Sequence, residues 1–125
     1  MGKIVHQAAS KFLTPVTLEL GGKSPVFVDD TVDIVTTARR ILWGKCLNAG
    51  QTCIAPDYLL CSKNVEERFI EAAKTILDEF YGEGVKVSPY WSKIVSERHY
   101  KRLMGMVSDG EVAIGGFGDP MERTI

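Results

Sequence analysis

The segment that decides the fold reads Val16-Thr17-Leu18-Glu19-Leu20-Gly21-Gly22-Lys23-Ser24-Pro25-Val26-Phe27-Val28. Residues that favour β-structure stand on both sides of the Gly-Gly break, so the segment predicts two strands, Val16–Leu20 and Val26–Val28. Apolar residues at helical spacing predict a helix before these strands, over residues 1–12. The same spacing predicts another helix after them, from Asp30 to Gly44. Helix and strand therefore alternate from the first residues onward.

The remainder of the chain continues this alternation. Residues 57–62 predict a third strand, and Asn64 with Glu67 three positions later has the spacing of a capping box that begins a long helix. A further helix is predicted from about Ser96, followed by a short strand at residues 112–114. Elements in this order predict an α/β fold with parallel strands and right-handed crossovers. The first helix lacks a cap and the last residues lack a stop signal, so we expect a piece of a longer protein.

Composition limits the classes of function. The 125 residues are 45% hydrophobic and 25% charged, which is typical of a globular chain. The net charge of -1 argues against a nucleic-acid-binding protein and against a basic membrane-surface segment. No apolar run approaches the ~20 residues of a membrane span, and the N-terminus lacks the anatomy of a signal peptide. With only three cysteines, we expect free thiols in a reducing, cytoplasmic compartment.

Two residues are candidates for chemistry. Cys53 lies in a polar loop, where an exposed thiol can react. Cys46 and Cys61 fall in apolar elements and are expected to be buried and inert. Glu19 alternates with apolar residues in a strand that we expect to be buried on both faces. Such a carboxylate is either the partner of a lysine or arginine, or a general base at the carboxyl end of the strand, the edge where open α/β sheets bind ligands.

Other patterns carry less chemistry. His6 and His99 have no cysteine or carboxylate at ligand spacing, so we expect surface histidines and no metal site. Neither histidine has an obvious route to Cys53 as a base. Gly22-Lys23-Ser24 resembles the end of a phosphate-binding loop, but Thr17 stands where that loop needs its first glycine.

The two candidates together match one known family. Leu18-Glu19-Leu20-Gly21-Gly22-Lys23-Ser24-Pro25 resembles the glutamate signature of the aldehyde dehydrogenases, and Gly50-Gln51-Thr52-Cys53 resembles their cysteine signature. Positions 19 and 53 are 34 residues apart, a separation similar to that of the family's catalytic pair. Flanking segments resemble the class 3 branch, which includes fatty aldehyde dehydrogenase: residues 13–17, 43–45, 53–58 and 79–82. One departure is Cys46, where many members carry an aromatic residue.

This resemblance implies roles for individual residues. Cys53 matches the nucleophile that forms a thiohemiacetal with the aldehyde and, after hydride transfer to NAD or NADP, a thioester. Glu19 matches the residue that activates water to release the carboxylic acid, a role that asks for a carboxylate partly removed from water. Leu20 and Gly21 match positions near the nicotinamide, and Gly2 matches the last glycine of the phosphate-contacting loop. No metal is implied.

The resemblance also implies an architecture and partners. Residues 1–25 match the end of the Rossmann-like NAD(P)-binding domain, and residues 26–125 match the first part of the parallel-sheet catalytic domain. The expected substrates are medium- or long-chain aliphatic or aromatic aldehydes. Full-length members are expected to be cytoplasmic homodimers, with membrane anchoring by a C-terminal tail left open. Residues 1–125 alone are expected to be inactive, and the alternative function is that of a catalytically incompetent truncated product that acts as a binding fragment.

Overall fold

The computed structural model describes every residue from Met1 to Ile125. Two strands and four α-helices alternate along the chain, and two short 3-10 segments follow the second and fourth helices. In chain order, the elements are α1 (Gly2–Ser10), β1 (Ser24–Val28), α2 (Ile34–Cys46), the 3-10 segment Leu47–Gly50, β2 (Pro56–Cys61), α3 (Lys63–Tyr81), α4 (Glu97–Met106) and the 3-10 segment Val107–Asp109.

Strands β1 and β2 form a two-stranded parallel sheet. Val26 lies opposite Leu59 and Val28 lies opposite Cys61, with a register irregularity between Ser24 and Pro25. Helix α2 connects the two strands, so residues 24–61 form a β-α-β unit. The predicted parallel pairing across a helical connection is therefore confirmed.

Side-chain caps set the helix starts. Asp33 accepts a hydrogen bond from the Thr36 backbone N–H at 2.8 Å, so α2 begins at Ile34, four residues later than the predicted Asp30. The prediction that Asn64 caps α3 is wrong. The cap is Ser62, whose hydroxyl accepts from the Val65 N–H, because Ser62 keeps an extended backbone directly after β2 ends.

The core lies among β1, β2, α2 and α3. Its largest fully buried side chains are Val65 and Ile76, both on one face of α3. Helix α3 packs against α2, which contributes the buried Ala38. Gly82, with a φ of 56°, ends α3 in the left-handed region that glycine adopts without penalty. No helix in the chain has both the length and the apolar character to cross a membrane.

Two of the four predicted strands do not form. Residues 14–23 run without a strand partner, so the predicted strand Val16–Leu20 is wrong. The predicted strand at residues 112–114 is wrong too, and its Val112 and Ile114 side chains are exposed. In both places the residues favour β-structure, but a strand needs a neighbouring strand to bond to, and this sheet contains only β1 and β2.

Candidate active site

The two candidate residues line one cleft. Its volume is about 540 Å³, and its walls are residues 19–22, residues 51–53, Val95 and one side of α4. Glu19 and Cys53 therefore face a common space although 33 residues separate them in the chain. The cleft lies where the chain enters β1 and β2, at the amino ends of the strands that form, and not at the carboxyl end of a strand as predicted for Glu19.

Cys53 lies on a loop with a left-handed backbone. After α2 ends at Cys46, Asn48 and Ala49 both have a φ of 53°, and Gly50 has a φ of 73°. These residues turn the chain sharply, and the Ala55 N–H then donates to the Thr52 carbonyl oxygen at 3.1 Å just before β2 begins. The short turn keeps Cys53 exposed at the end of the loop, as the sequence predicts for this thiol.

The other two cysteines are less accessible. Cys46 and Cys61 are half-buried, which is more exposed than the burial predicted for them. Burial raises the pKa of the Cys46 thiol, and a hydrogen bond with Tyr81 partly opposes that rise. The same neighbourhood raises the pKa of Tyr81 to about 12, chiefly through burial. At neutral pH the Cys46 thiol is therefore a poor nucleophile compared with an ordinary exposed cysteine.

Glu19 does not lie where the sequence predicts. The expectation of a buried strand residue is wrong, because the residue is exposed on a segment that pairs with no strand. The ion-pair alternative also fails in this structure, since none of the salt bridges in the chain includes Glu19. Glu19 lines the cleft that also contains Cys53.

Contacts at residues 22–24 hold the Glu19 segment against the Cys53 loop. A Cβ placed on Gly22 would lie 1.8 Å from the Cys53 carbonyl oxygen, so only a residue without a side chain fits there. The Ser24 hydroxyl donates to the same carbonyl at 3.4 Å. Lys23 forms an ion pair with Asp57 at 2.9 Å, and this hydrogen bond is the main cause of the lowered pKa of Asp57.

Helix α4 contributes three residues, His99, Arg102 and Leu103, that the sequence analysis did not assign to the site. His99 is half-buried and lines the cleft together with Arg102, so the prediction of a solvated surface histidine is wrong. Ser96 begins α4 by accepting a hydrogen bond from the His99 N–H at 3.3 Å. His99 and Arg102 have i, i+3 spacing beside the buried Tyr100, so both lie at the edge of the apolar face of α4. This spacing is the sequence feature that could have indicated their place in the cleft. No group of three or more His, Cys, Asp or Glu side chains could hold a metal ion.

The candidate cofactor residues lie next to one another. A Cβ on Gly2 would lie 2.9 Å from the Leu20 Cδ2 atom, so the first turn of α1 packs against the segment that contains Glu19. Leu20 and Gly21 line the cleft itself. A Cβ on Gly21 would have no atom within 4 Å, so the space over this residue is open.

Comparison with known proteins identifies the family. Residues 1–116 match the model of the aldehyde dehydrogenase family. The chain belongs to this family. Over 125 residues, this aldehyde dehydrogenase chain is 50% identical to aldehyde dehydrogenase family 3 member B2 of Mus musculus, and it covers 26% of that protein. It is 55% identical to aldehyde dehydrogenase family 3 comG of Dictyostelium discoideum, of which it covers 27%.

Solved structures confirm the fold class. Staphylococcus aureus AldH, in its substrate-bound state, matches 99% of the chain with a TM-score of 0.89 and 48% identity, and the chain covers 28% of that enzyme. Succinate-semialdehyde dehydrogenase from Burkholderia pseudomallei has the same fold over 98% of the chain, with a TM-score of 0.80 at 19% identity. The α/β elements described above are thus a part of the aldehyde dehydrogenase fold, and the chain spans about a quarter of the length of these relatives.

Proposed function

We propose that the protein containing this segment oxidises aldehydes to carboxylic acids with NAD or NADP, and that Cys53 is its nucleophile and Glu19 its base. The observation that carries this proposal is the single cleft lined by the exposed Cys53 and Glu19 in a chain of the aldehyde dehydrogenase family. Identities of about 50% to family 3 members support medium- or long-chain aliphatic or aromatic aldehydes as substrates.

In the first step, the thiolate of Cys53 attacks the aldehyde carbon. A carbon–sulfur bond forms and the carbonyl electron pair moves to oxygen, which gives the oxyanion of a thiohemiacetal. Exposure on the short loop before β2 suits this role, because a nucleophile must meet a substrate that enters from solvent. Cys46 and Cys61 line no part of this cleft.

Three residues beside the cleft fit the nicotinamide cofactor. Gly21 leaves open space at the cleft wall, where a flat ring can approach the backbone without meeting a Cβ, and Leu20 is next to it. Gly2 opens α1, and the backbone N–H groups at a helix start favour phosphate oxygens. When bound, the cofactor supplies the hydride acceptor that converts the thiohemiacetal to a thioester.

Glu19 completes the reaction. Its carboxylate takes a proton from water while the water oxygen attacks the thioester carbon, and the carbon–sulfur bond then breaks to return the Cys53 thiolate. Because no lysine or arginine pairs with Glu19, the carboxylate is available to accept that proton. Glu19 and Cys53 line the same cleft, which supports this role.

Two substitutions test the roles separately in a protein that contains residues 1–125 within the full family fold. Cys53→Ala should abolish cofactor reduction, because no covalent intermediate forms. Glu19→Gln should give one burst of reduced cofactor followed by a slow steady state, because the thioester forms but is not released. Glu83→Gln, at an exposed carboxylate outside the cleft, is the control. Turnover by Cys53→Ala would contradict the proposed function, and wild-type steady-state turnover by Glu19→Gln would contradict the base role alone.

Further properties follow from the relatives and the core. The dog relative, 49% identical, is named dimeric and NADP-preferring, and on this likeness we propose a homodimer that accepts NADP. Three free cysteines support the proposed cytoplasmic location. The division into a cofactor-domain end at residues 1–25 and a catalytic-domain start at residues 26–125 is supported by the absence of buried residues before β1.

A second function applies if residues 1–125 exist as a separate polypeptide. Large apolar side chains are exposed on several elements, among them Ile4, Phe12 and Phe27 at 65%, 81% and 76%. Such surface favours association with another chain, as a catalytically incompetent binding fragment would show. The purified 125-residue chain should reduce no NAD or NADP with hexanal or benzaldehyde above a Cys53→Ala control. Reduction above that control would favour an active enzyme over the binding fragment.

A further inference from the structure

The side chain of Gln51 uses its hydrogen-bonding groups on three backbone partners. Its Nε2 donates to the carbonyl oxygens of Asn48, at 3.0 Å, and Lys93, at 3.2 Å. Its Oε1 accepts from the Val95 N–H at 2.9 Å. Both N–H groups of the amide and its oxygen therefore have partners, two of which lie more than 40 positions further along the chain.

These bonds join two walls of the cleft. Gln51 lies two positions before Cys53, within the loop that presents the candidate nucleophile. Residues 93–95 directly precede Ser96, the cap of α4, and α4 contributes His99 to the lining of the cleft. Gln51 is itself one of the lining residues. One side chain thus links the Cys53 loop to the residues that lead into α4.

The same residue supports an unfavourable backbone conformation. Asn48 and Ala49 are left-handed, which is costly for residues that carry a Cβ. Two backbone groups of Gln51 also bond to Asn48 across this turn. The Gln51 backbone N–H donates to the Asn48 carbonyl oxygen at 3.1 Å, and the Gln51 backbone carbonyl accepts from the Asn48 side chain at 3.2 Å. Without the Gln51 amide, the loop loses its connection to residues 93–95 and part of the closure of its own turn.

We propose that Gln51 is a positioning residue: it ties the Cys53 loop to the wall formed by α4 and so holds the thiol at a fixed place in the cleft. The catalytic consequence rests on the proposed function, whereas the structural tie does not. Only an amide suits the position, because the partners are two acceptors and one donor. A glutamate side chain lacks the two N–H groups, and a methionine side chain of similar length lacks all three.

The test compares Gln51→Met and Gln51→Glu with Gln7→Met, in a protein that contains residues 1–125 within the full family fold. Gln7 is exposed on α1, and its side chain makes no hydrogen bond, so it is the matched control. Hydrogen exchange measured by mass spectrometry reports the tie directly. Gln51→Met should speed exchange in residues 47–55 and 93–95 but not in β1. Gln51→Glu should speed it chiefly in residues 47–55, because its carboxylate still accepts from the Val95 N–H.

Kinetics then separate positioning from simple stabilisation. Both Gln51 variants should lower kcat by about 10- to 100-fold with a much smaller change in KM, because a displaced nucleophile slows the chemical step more than binding. If Gln51→Met unfolds the protein, the exchange and the kinetics of Gln51→Glu test the inference by themselves.

Two results would overturn the inference. Unchanged exchange in both segments would show that Gln51 does not tie them together. Faster exchange with an unchanged kcat would show that the tie does not position Cys53. A wild-type protein without dehydrogenase activity would contradict the proposed function instead, and the exchange measurement would still test the tie.

Discussion

Residues 1–23 and residues 24–82 reach the same cleft in different ways. The first region contains Glu19 but no buried residue, and its Phe12 and Leu20 side chains are 81% and 75% exposed. The second region contains Cys53 on a loop between elements that form their own core. That core contains Val28, Ala38, Ala55, Val65, Ala73 and Ile76, all buried.

The difference shows what each half of the site depends on. The Cys53 loop is anchored at both ends, by α2 and by β2, which belong to one packed unit. The Glu19 segment has neither a strand partner nor a core of its own, so its place in the cleft depends on the contacts of Gly22, Lys23 and Ser24.

The largest effect is expected in the core of the second region. Ile76 is 1% exposed, so Ile76→Ala should lower the free energy of unfolding of the 125-residue chain by about 2–5 kcal/mol. Phe12→Ala should change it by no more than about 0.5 kcal/mol, because Phe12 contributes nothing to a core. Urea unfolding followed by circular dichroism measures both. Equal losses for the two variants would mean that residues 1–23 pack more tightly than the structure shows.

The junction between the regions should be the next most sensitive place. Gly22→Ala introduces a Cβ that overlaps the Cys53 backbone, at an expected cost of about 1–3 kcal/mol. The strain should detach the Glu19 segment from the Cys53 loop in a larger fraction of the molecules. When the rate of tryptic cleavage follows that detached fraction, cleavage after Lys23 should be about 5- to 150-fold faster. Gly21→Ala is the matched control for this cleavage, because its Cβ has no atom within 4 Å. Similar cleavage rates in the two variants would contradict the close contact.

The thiols should differ severalfold in reactivity. A limited dose of iodoacetamide should label Cys53 before Cys46 and Cys61, because only Cys53 is exposed. Burial raises the pKa of Cys46, so Cys46 should stay protonated, and its labelling should stay slow, until the pH rises above the range in which an ordinary thiol ionises. Peptide mapping at several pH values measures the order. Labelling of Cys46 or Cys61 before Cys53 would contradict the assignment of Cys53 as the most reactive thiol.

The smallest effect is expected at the ion pair between Lys23 and Asp57, since the Lys23 side chain is 83% exposed. Lys23 lowers the pKa of Asp57, so the pair contributes stability above the ordinary aspartate pKa and loses it only as the pH falls through the lowered value. As the pH falls from neutral, the NMR signals of the Lys23 side chain should therefore shift only in the acid range, where Asp57 gains its proton. Asp57→Asn should abolish that shift, and Glu83→Gln should leave it unchanged. A shift that persists in Asp57→Asn would assign the pairing to another carboxylate.

Much of the fold follows from local patterns. All four predicted helices form, although α1 ends at Ser10 and α2 begins only after Asp33. Strands β1 and β2 form where β-favouring residues lie on either side of a helix of suitable length. Exposure of Cys53 was predictable as well, because a polar, glycine-containing loop leaves little apolar surface to bury. Each of these elements is stabilised by neighbours within the same short stretch of chain.

Other features depended on partners that no local pattern reveals. Residues 16–20 have the composition of a buried strand, yet they form no strand and are mostly exposed, because no strand of this chain lies beside them. His99 has the sequence context of a surface residue, yet it lines the cleft with Cys53, on a helix preceded by residues 93–95, which hydrogen-bond to the Gln51 side chain. Residue types and spacing were enough to choose Glu19 and Cys53 and to indicate the family, since motifs are local. Which surfaces face them, and whether a carboxylate is buried or solvated, is decided by contacts between residues far apart in the chain, and only the folded chain brings those together.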